Sequence, residues 1–288
     1  MEMLERMEAA RAMTEARLQA LIPQSGRLEE AMRYSLLAGG KRLRPLLTLA
    51  FCRVCGGEPA DALDAACGVE MLHTYSLIHD DMPCMDNDAL RRGKPTSHVV
   101  YGEWLALLAG DALQAEAFRV LLDSALPARA KARAAAILAR AAGRLGICGG
   151  QYLDLAGEGN TLSPGEIREM YALKTAALFE AACMIGAVSA GAPEEKVEAA
   201  KRFGGLLGLA FQIRDDLLDL SSSDAVLGKP VGSDEKNGKA TLAALLGPEK
   251  AARVMEENSQ AALQLLQEQF DGDEFLVWLV EALLRREN

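Results

Sequence analysis

Two short stretches gather carboxylates at spacings suited to holding divalent cations. In the first, Asp80-Asp81-Met82-Pro83-Cys84-Met85-Asp86-Asn87-Asp88, an apolar, helix-like run ends in adjacent aspartates and Pro83 stops the helix. Four carboxylates this close repel one another unless cations neutralise them. In the second, FGGLLGLAFQIRDDLLDL at 203–220, Gln212, Asp215, Asp216 and Asp219 fall at i, i+3, i+4 and i+7. They share one face of an otherwise apolar helix. An acidic stripe at core spacing costs stability unless cations occupy it. Oxygen donors without paired histidines suit Mg²⁺, which takes one or two carboxylates and completes its shell with phosphate oxygens. The first stretch alone reads as a solvated acidic-basic loop, whereas the second lies on a helix whose other faces are almost wholly apolar and reads as functional; the two together point to metal.

Basic residues stand ready for an anion. Gly39-Gly40-Lys41-Arg42-Leu43-Arg44-Pro45 is a glycine-hinged loop at a helix start, where free N–H groups and cationic side chains favour anions. Arg91-Arg92-Gly93-Lys94 follows the first acidic run directly. Lys174-Thr175 interrupts an apolar helical pattern, and Lys229 and Lys239 lie in the loops LGKP and NGKAT. Two acidic clusters with several basic groups suggest two phosphorylated substrates, one held through metal and one held directly.

The elements that position these groups are helices. Ten prolines fall at or between the ends of stretches rich in Ala, Leu, Glu, Arg and Met. Helices are expected over 2–21, 27–38, 45–55, 60–81, 101–123, 128–156, 165–190, 194–220, 239–246, 249–270 and 274–286. Ser163-Pro164-Gly165-Glu166 reads as a capped start, and Gly191-Ala192-Pro193 as a stop and restart. Alternating runs of β-branched residues are missing, as is any low-complexity linker, so one all-α domain over 1–288 is expected. Half the residues are hydrophobic but only 5% aromatic, which makes the core aliphatic. A net charge of −10 argues against a general nucleic-acid binder. The N-terminus lacks the pattern of a signal peptide, and no apolar run reaches the length of about 18 residues that suggests a membrane span. Six cysteines without a disulfide-like framework complete the expectation of a cytoplasmic protein with no stable membrane insertion. Cys52 and Cys55 have CxxC spacing, but within an apolar run and without a second pair they read as core residues.

In family order across about 200 residues, eight segments resemble the trans-type short-chain polyprenyl diphosphate synthases, most closely those making farnesyl diphosphate. They are GGKRLRP at 39–45, HTYSLIHDDMPCMDND at 73–88, RRGKPTSH at 91–98, GDALQ at 110–114, GGQYLDL at 149–155, LKT at 173–175, FQIRDDLLD at 211–219 and LGKPVGSDEKNGKAT at 227–241. Ala89 stands where many relatives carry a further acid.

The resemblance implies an all-α bundle of about ten or more helices around a deep apolar pocket, working in isoprenoid biosynthesis. It implies that Asp80, Asp86 and Asp215 bind Mg²⁺ on an allylic diphosphate, three ions per site, with Asp81, Asp216 and Asp219 as further ligands or their supports. Arg91, Lys174 and Lys229 would hold that diphosphate directly, with Thr175, Gln212 and Lys239 nearby. Lys41, Arg44, His73 and Arg92 would bind isopentenyl diphosphate without metal. Tyr75, five residues before Asp80, would act as a floor that stops elongation at C15, although as a helical residue it lies about 140° around from Asp80. A homodimer is also implied. Geranyl or geranylgeranyl diphosphate synthesis, terpene cyclisation and a non-catalytic partner subunit are the alternatives. A cyclase needs no second diphosphate site, and a partner subunit need not keep both aspartate motifs. The Glu70-Met71-Leu72-His73 spacing also matches half of a di-iron carboxylate site, but no second ExxH occurs.

Overall fold

Helix formers between prolines and glycines produce helices nearly everywhere the spacing predicts them. The structure, a computed structural model, describes residues 2–221 and 240–285. Its contacts divide the chain into two compact units, one of 1–138 with 184–192 and one of 139–183 with 193–288.

The first unit holds α1 (Glu2–Leu21), α2 (Arg27–Leu36), α3 (Leu43–Val54), α4 (Leu63–Asp80), α5 (Ser97–Tyr101) and α6 (Glu103–Asp123), with the greater part of α7 (Ala128–Ala142). Helix α4 is its centre: Ala65 through Leu72 are all buried, so no face is left to solvent along that stretch. Leu49, Cys52, Ala62 and Ala66 form a core cluster where α3 meets α4. Cys52 is buried and Cys55 half-buried, both as free thiols, and burial pushes Cys52 up to about 11.

The second unit holds α8 (Ile147–Gly157), α9 (Pro164–Tyr171), α11 (Glu194–Ser221), α12 (Leu242–Leu246), α13 (Pro248–Gln269) and α14 (Glu274–Arg285). Helix α10 (Ala177–Ser189) begins in this unit. The capping box at Ser163 is complete: its backbone N–H donates to Glu166 Oε2 at 2.8 Å, and Glu166 N–H donates back to Ser163 Oγ at 3.3 Å. Ile167, Met170, Tyr171 and Ile213 pack with Leu242, Ala243 and Ala251 into one core.

Four departures from the sequence reading have local causes. The helix expected over 128–156 is two, because Gly146 adopts an extended φ of −156° and a Cβ there would meet the Ala141 carbonyl at 2.1 Å. The helix expected from 101 is preceded by α5 and broken at Gly102, whose φ is +82°. Leu90–Arg91 and Lys94–Pro95 form a two-residue antiparallel hairpin too short to be seen in the alternation of a sequence. The helical run Pro164–Ser189 is also long and apolar enough to cross a membrane, contrary to the expectation that no stretch would be, but 61% of its apolar window is buried within the protein. Burial of that kind is what a core helix shows.

Candidate active site

In the first unit the acidic run is folded back on the end of α4. Asp86 N–H donates to the Asp80 carbonyl at 3.0 Å and Asn87 N–H to the Met82 carbonyl at 3.1 Å, which curls the loop and returns Asp86 to Asp80. The hairpin then turns through Arg92 and Gly93, both with positive φ (52° and 72°), as a two-residue turn matched to strand twist requires. Its first strand carries Arg91 to Asp81. The guanidinium Nε donates to both carboxylate oxygens at 2.7 and 2.9 Å, and Nη2 lies 2.6 Å from Oδ1 and 3.8 Å from carboxylate oxygens of Asp80 and Asp88. Burial pushes the Asp81 carboxyl up to about 6, against the opposing pull of Arg91.

Beside this acidic group, the same unit gathers cations. Arg44 Nη1 is 3.3 Å from His73 Nε2, and Arg92 Nη1 donates to the Gly39 carbonyl. A Cβ at Gly40 would stand 2.9 Å from the Arg92 guanidinium carbon, and the Gly40 φ of +124° is one that residues with a side chain rarely adopt. Burial, with Arg44 and Arg92 next to it, holds His73 well below the usual histidine range, which keeps the ring neutral. Burial also lowers Arg44 to about 10. Lys41 is exposed at the loop's edge.

Tyr75 is buried on α4, its ring edge-on to His79 with centroids 5.4 Å apart. His79 in turn contacts the Leu107 carbonyl of α6 at 3.1 Å.

In the second unit the acidic stripe of α11 is a core face. Asp216 and Asp219 are 3% and 6% exposed. Gln212 Nε2 donates to Asp216 Oδ1 at 3.0 Å and its Oε1 accepts from Thr175 at 2.7 Å, which brings Gln212 and Thr175 together. Tyr171 Oη donates to the other Asp216 oxygen and accepts from Leu242 N–H at 3.1 Å. Lys174 and Thr175 lie on a π-helical turn, Ala172–Ala176, a local widening often found at functional positions. A Cβ at Gly150 would be 2.1 Å from Lys174 N, so α8 presses against that turn, and one turn later buried Asp154 pairs with Lys174 Nζ.

Tyr171 and Asp154, which the sequence reading did not single out, contact the candidate site residues Asp216 and Lys174. Asp154 sits four residues after Gly150 within GGQYLDL, a helical spacing that could have drawn it in; nothing marks Tyr171 apart from its place four residues before Thr175. Lys229 and Lys239 lie outside the described residues.

The donor set fits Mg²⁺. The candidate ligands of both motifs are hard carboxylate oxygens. One or two carboxylates completed by substrate phosphate oxygens is the arrangement Mg²⁺ favours.

Residues 25–282 match the polyprenyl synthetase family model. The chain is 44% identical over 265 residues to farnesyl diphosphate synthase of Geobacillus stearothermophilus, covering 91% of this chain and 89% of that one. It is 49% identical over 248 residues to chloroplastic geranylgeranyl pyrophosphate synthase 3 of Arabidopsis thaliana, covering 83% and 68%. The structure aligns with a geranyltransferase from Helicobacter pylori complexed with magnesium and isoprenyl diphosphate (TM-score 0.85, 32% identity, 97% and 96% covered).

Proposed function

The chain belongs to the polyprenyl synthetase family, and we propose that within it residues 1–288 work as one domain that condenses isopentenyl diphosphate head-to-tail with dimethylallyl or geranyl diphosphate. The observation that carries this reading is the pairing, within the first unit, of an aspartate group tied to Arg91 with a separate group in which the cations Arg44 and Arg92 flank neutral His73. The first suits a diphosphate held through metal, the second one held directly. A terpene cyclase has use only for the first.

Asp80, Asp86 and Asp215 would hold Mg²⁺, with Asp81, Asp216 and Asp219 as further ligands or supports of the first three. When bound, the metal neutralises the charge that grows on the departing diphosphate. Arg91, Lys174 and Lys229 hold that allylic diphosphate directly, with Thr175, Gln212 and Lys239 nearby. The allylic C–O bond breaks to give a carbocation and diphosphate. The double bond of isopentenyl diphosphate, anchored by Lys41, Arg44, His73 and Arg92, then attacks the cation. A proton lost to the departing diphosphate completes the new alkene. Aliphatic packing around the reacting carbons keeps water from quenching the cation.

Farnesyl diphosphate is the proposed main product, because Tyr75 places a buried aromatic ring one and a half turns behind Asp80. Tyr75→Ala should extend the products to C20 and beyond, seen by chromatography after dephosphorylation. A stable, active variant still stopping at C15 would remove Tyr75 from chain-length control, and a wild type making mostly C20 would favour geranylgeranyl diphosphate synthesis. The relatives of both kinds leave that choice to this experiment.

We also place the protein in the cytoplasm, as a homodimer. Six free thiols fit a reducing compartment. On α6, Trp104, Leu107 and Leu108 lie at i, i+3 and i+4 with exposures of 68, 44 and 47%, an apolar stripe suited to a second copy.

A further inference from the structure

The ExxH run singled out in the sequence has a buried glutamate that the chemistry above does not use. Glu70, 2% exposed, accepts from Arg42 Nη1 at 2.7 Å. Arg42, itself 3% exposed, donates through Nε to Glu15 Oε1 of α1 at 2.7 Å and through Nη2 to the Leu36 carbonyl at 2.5 Å. One guanidinium thus joins α1, the C-terminal end of α2, and α4, where the α2 carbonyl also presents the negative end of a helix dipole.

Arg42 has φ +48° and ψ +38°, a left-handed conformation that a long side chain rarely adopts. It is the third such residue in four, after Gly39 and Gly40, and it stands immediately before α3. Strain of this kind persists where surrounding contacts over-determine it, and the three guanidinium contacts do so here. Lys41 precedes Arg42, and Arg44 follows two residues later. Glu70 is also the acid whose charge acts favourably on each of Arg42, Arg44 and Arg92, which otherwise repel one another.

We propose that the buried Arg42–Glu70 pair is the positioning device of the isopentenyl diphosphate site: it locks the 39–44 loop in its left-handed turn and offsets the repulsion among the cations that the substrate then meets. Neither residue touches substrate in this account. The inference rests on the reading of Lys41, Arg44, His73 and Arg92 as that site.

The test is steady-state kinetics of full-length Glu70→Gln, Arg42→Met and the double variant, with the KM of each substrate determined separately. Each single variant should raise the isopentenyl diphosphate KM about 10-fold or more, leave the allylic KM within about 2-fold, and lower kcat less than it raises that KM. The double variant should be no worse than the poorer single one, because removing both partners leaves no unpaired buried charge. Where the single variants fail to fold by circular dichroism, Glu15→Gln, which alters only the half-exposed end of the triad, should raise the isopentenyl KM alone by about 3-fold. Equal rises in both KM values, additive losses in the double variant, or an unchanged isopentenyl KM in folded variants would overturn the proposal. A wild type that does not condense the two substrates would instead remove the functional reading beneath it.

Discussion

At the scale of single residues, the aspartates and His73 make separable predictions. Asp80→Ala or Asp215→Ala should lower kcat by ~100-fold or more, the usual scale for losing a stabiliser of transition-state charge. Circular dichroism should show the fold intact, since each change removes one of several repelling acids; near-normal turnover that is insensitive to chelator would refute the metal roles. His73 adds a pH dependence. Its folded pKa lies below the unfolded value of about 6.5, so the unfolded chain binds the extra proton first. The stability it contributes is therefore present above pH ~6.5 and lost as pH falls below it, by up to about 1.4 kcal/mol per pH unit. Asp81 acts with the opposite sign, because its raised pKa makes the folded state the better proton binder below pH ~6. Comparing wild type with His73→Gln isolates the histidine: the decline in Tm from about pH 7.5 to 5.5, without diphosphates, should be steeper in the wild type. Parallel profiles would mean that His73 titrates normally.

At the scale of elements, most of the scaffold was legible because its cues are local. Good helix formers between prolines, the Ser163 capping box and the i, i+3, i+4, i+7 stripe of α11 all appear where spacing places them. Less legible were features set by contact between elements. The π turn at Lys174 meets α8 at Gly150, and the Arg42 turn is fixed by α1, α2 and α4. Composition does not reveal such approaches. Gly150→Ala tests one of them. The new Cβ would fall 2.1 Å from backbone N of Lys174, and relieving that overlap should cost ~2 kcal/mol, more than the up to ~1 kcal/mol that alanine gains as a helix former. A lowered urea midpoint is expected; an unchanged or raised midpoint would show that α8 can move aside.

At the scale of the whole molecule, the exposed apolar stripe of α6 is the proposed contact between two copies. If the outer face of α6 pairs two copies, Leu107→Glu should shift the mass in light scattering toward that of a monomer, because a buried unpaired charge at such a face is costly. A dimeric mass retained by the variant would place the interface elsewhere. The central claim is that two different diphosphates are joined. It is tested most directly by incubating the purified chain with labelled isopentenyl diphosphate and geranyl diphosphate, with Mg²⁺ and then with excess chelator, and separating the products. Label should enter farnesyl diphosphate only when both substrates and Mg²⁺ are present. Label that never enters a longer chain, or hydrocarbon formed from the allylic substrate alone, would contradict it.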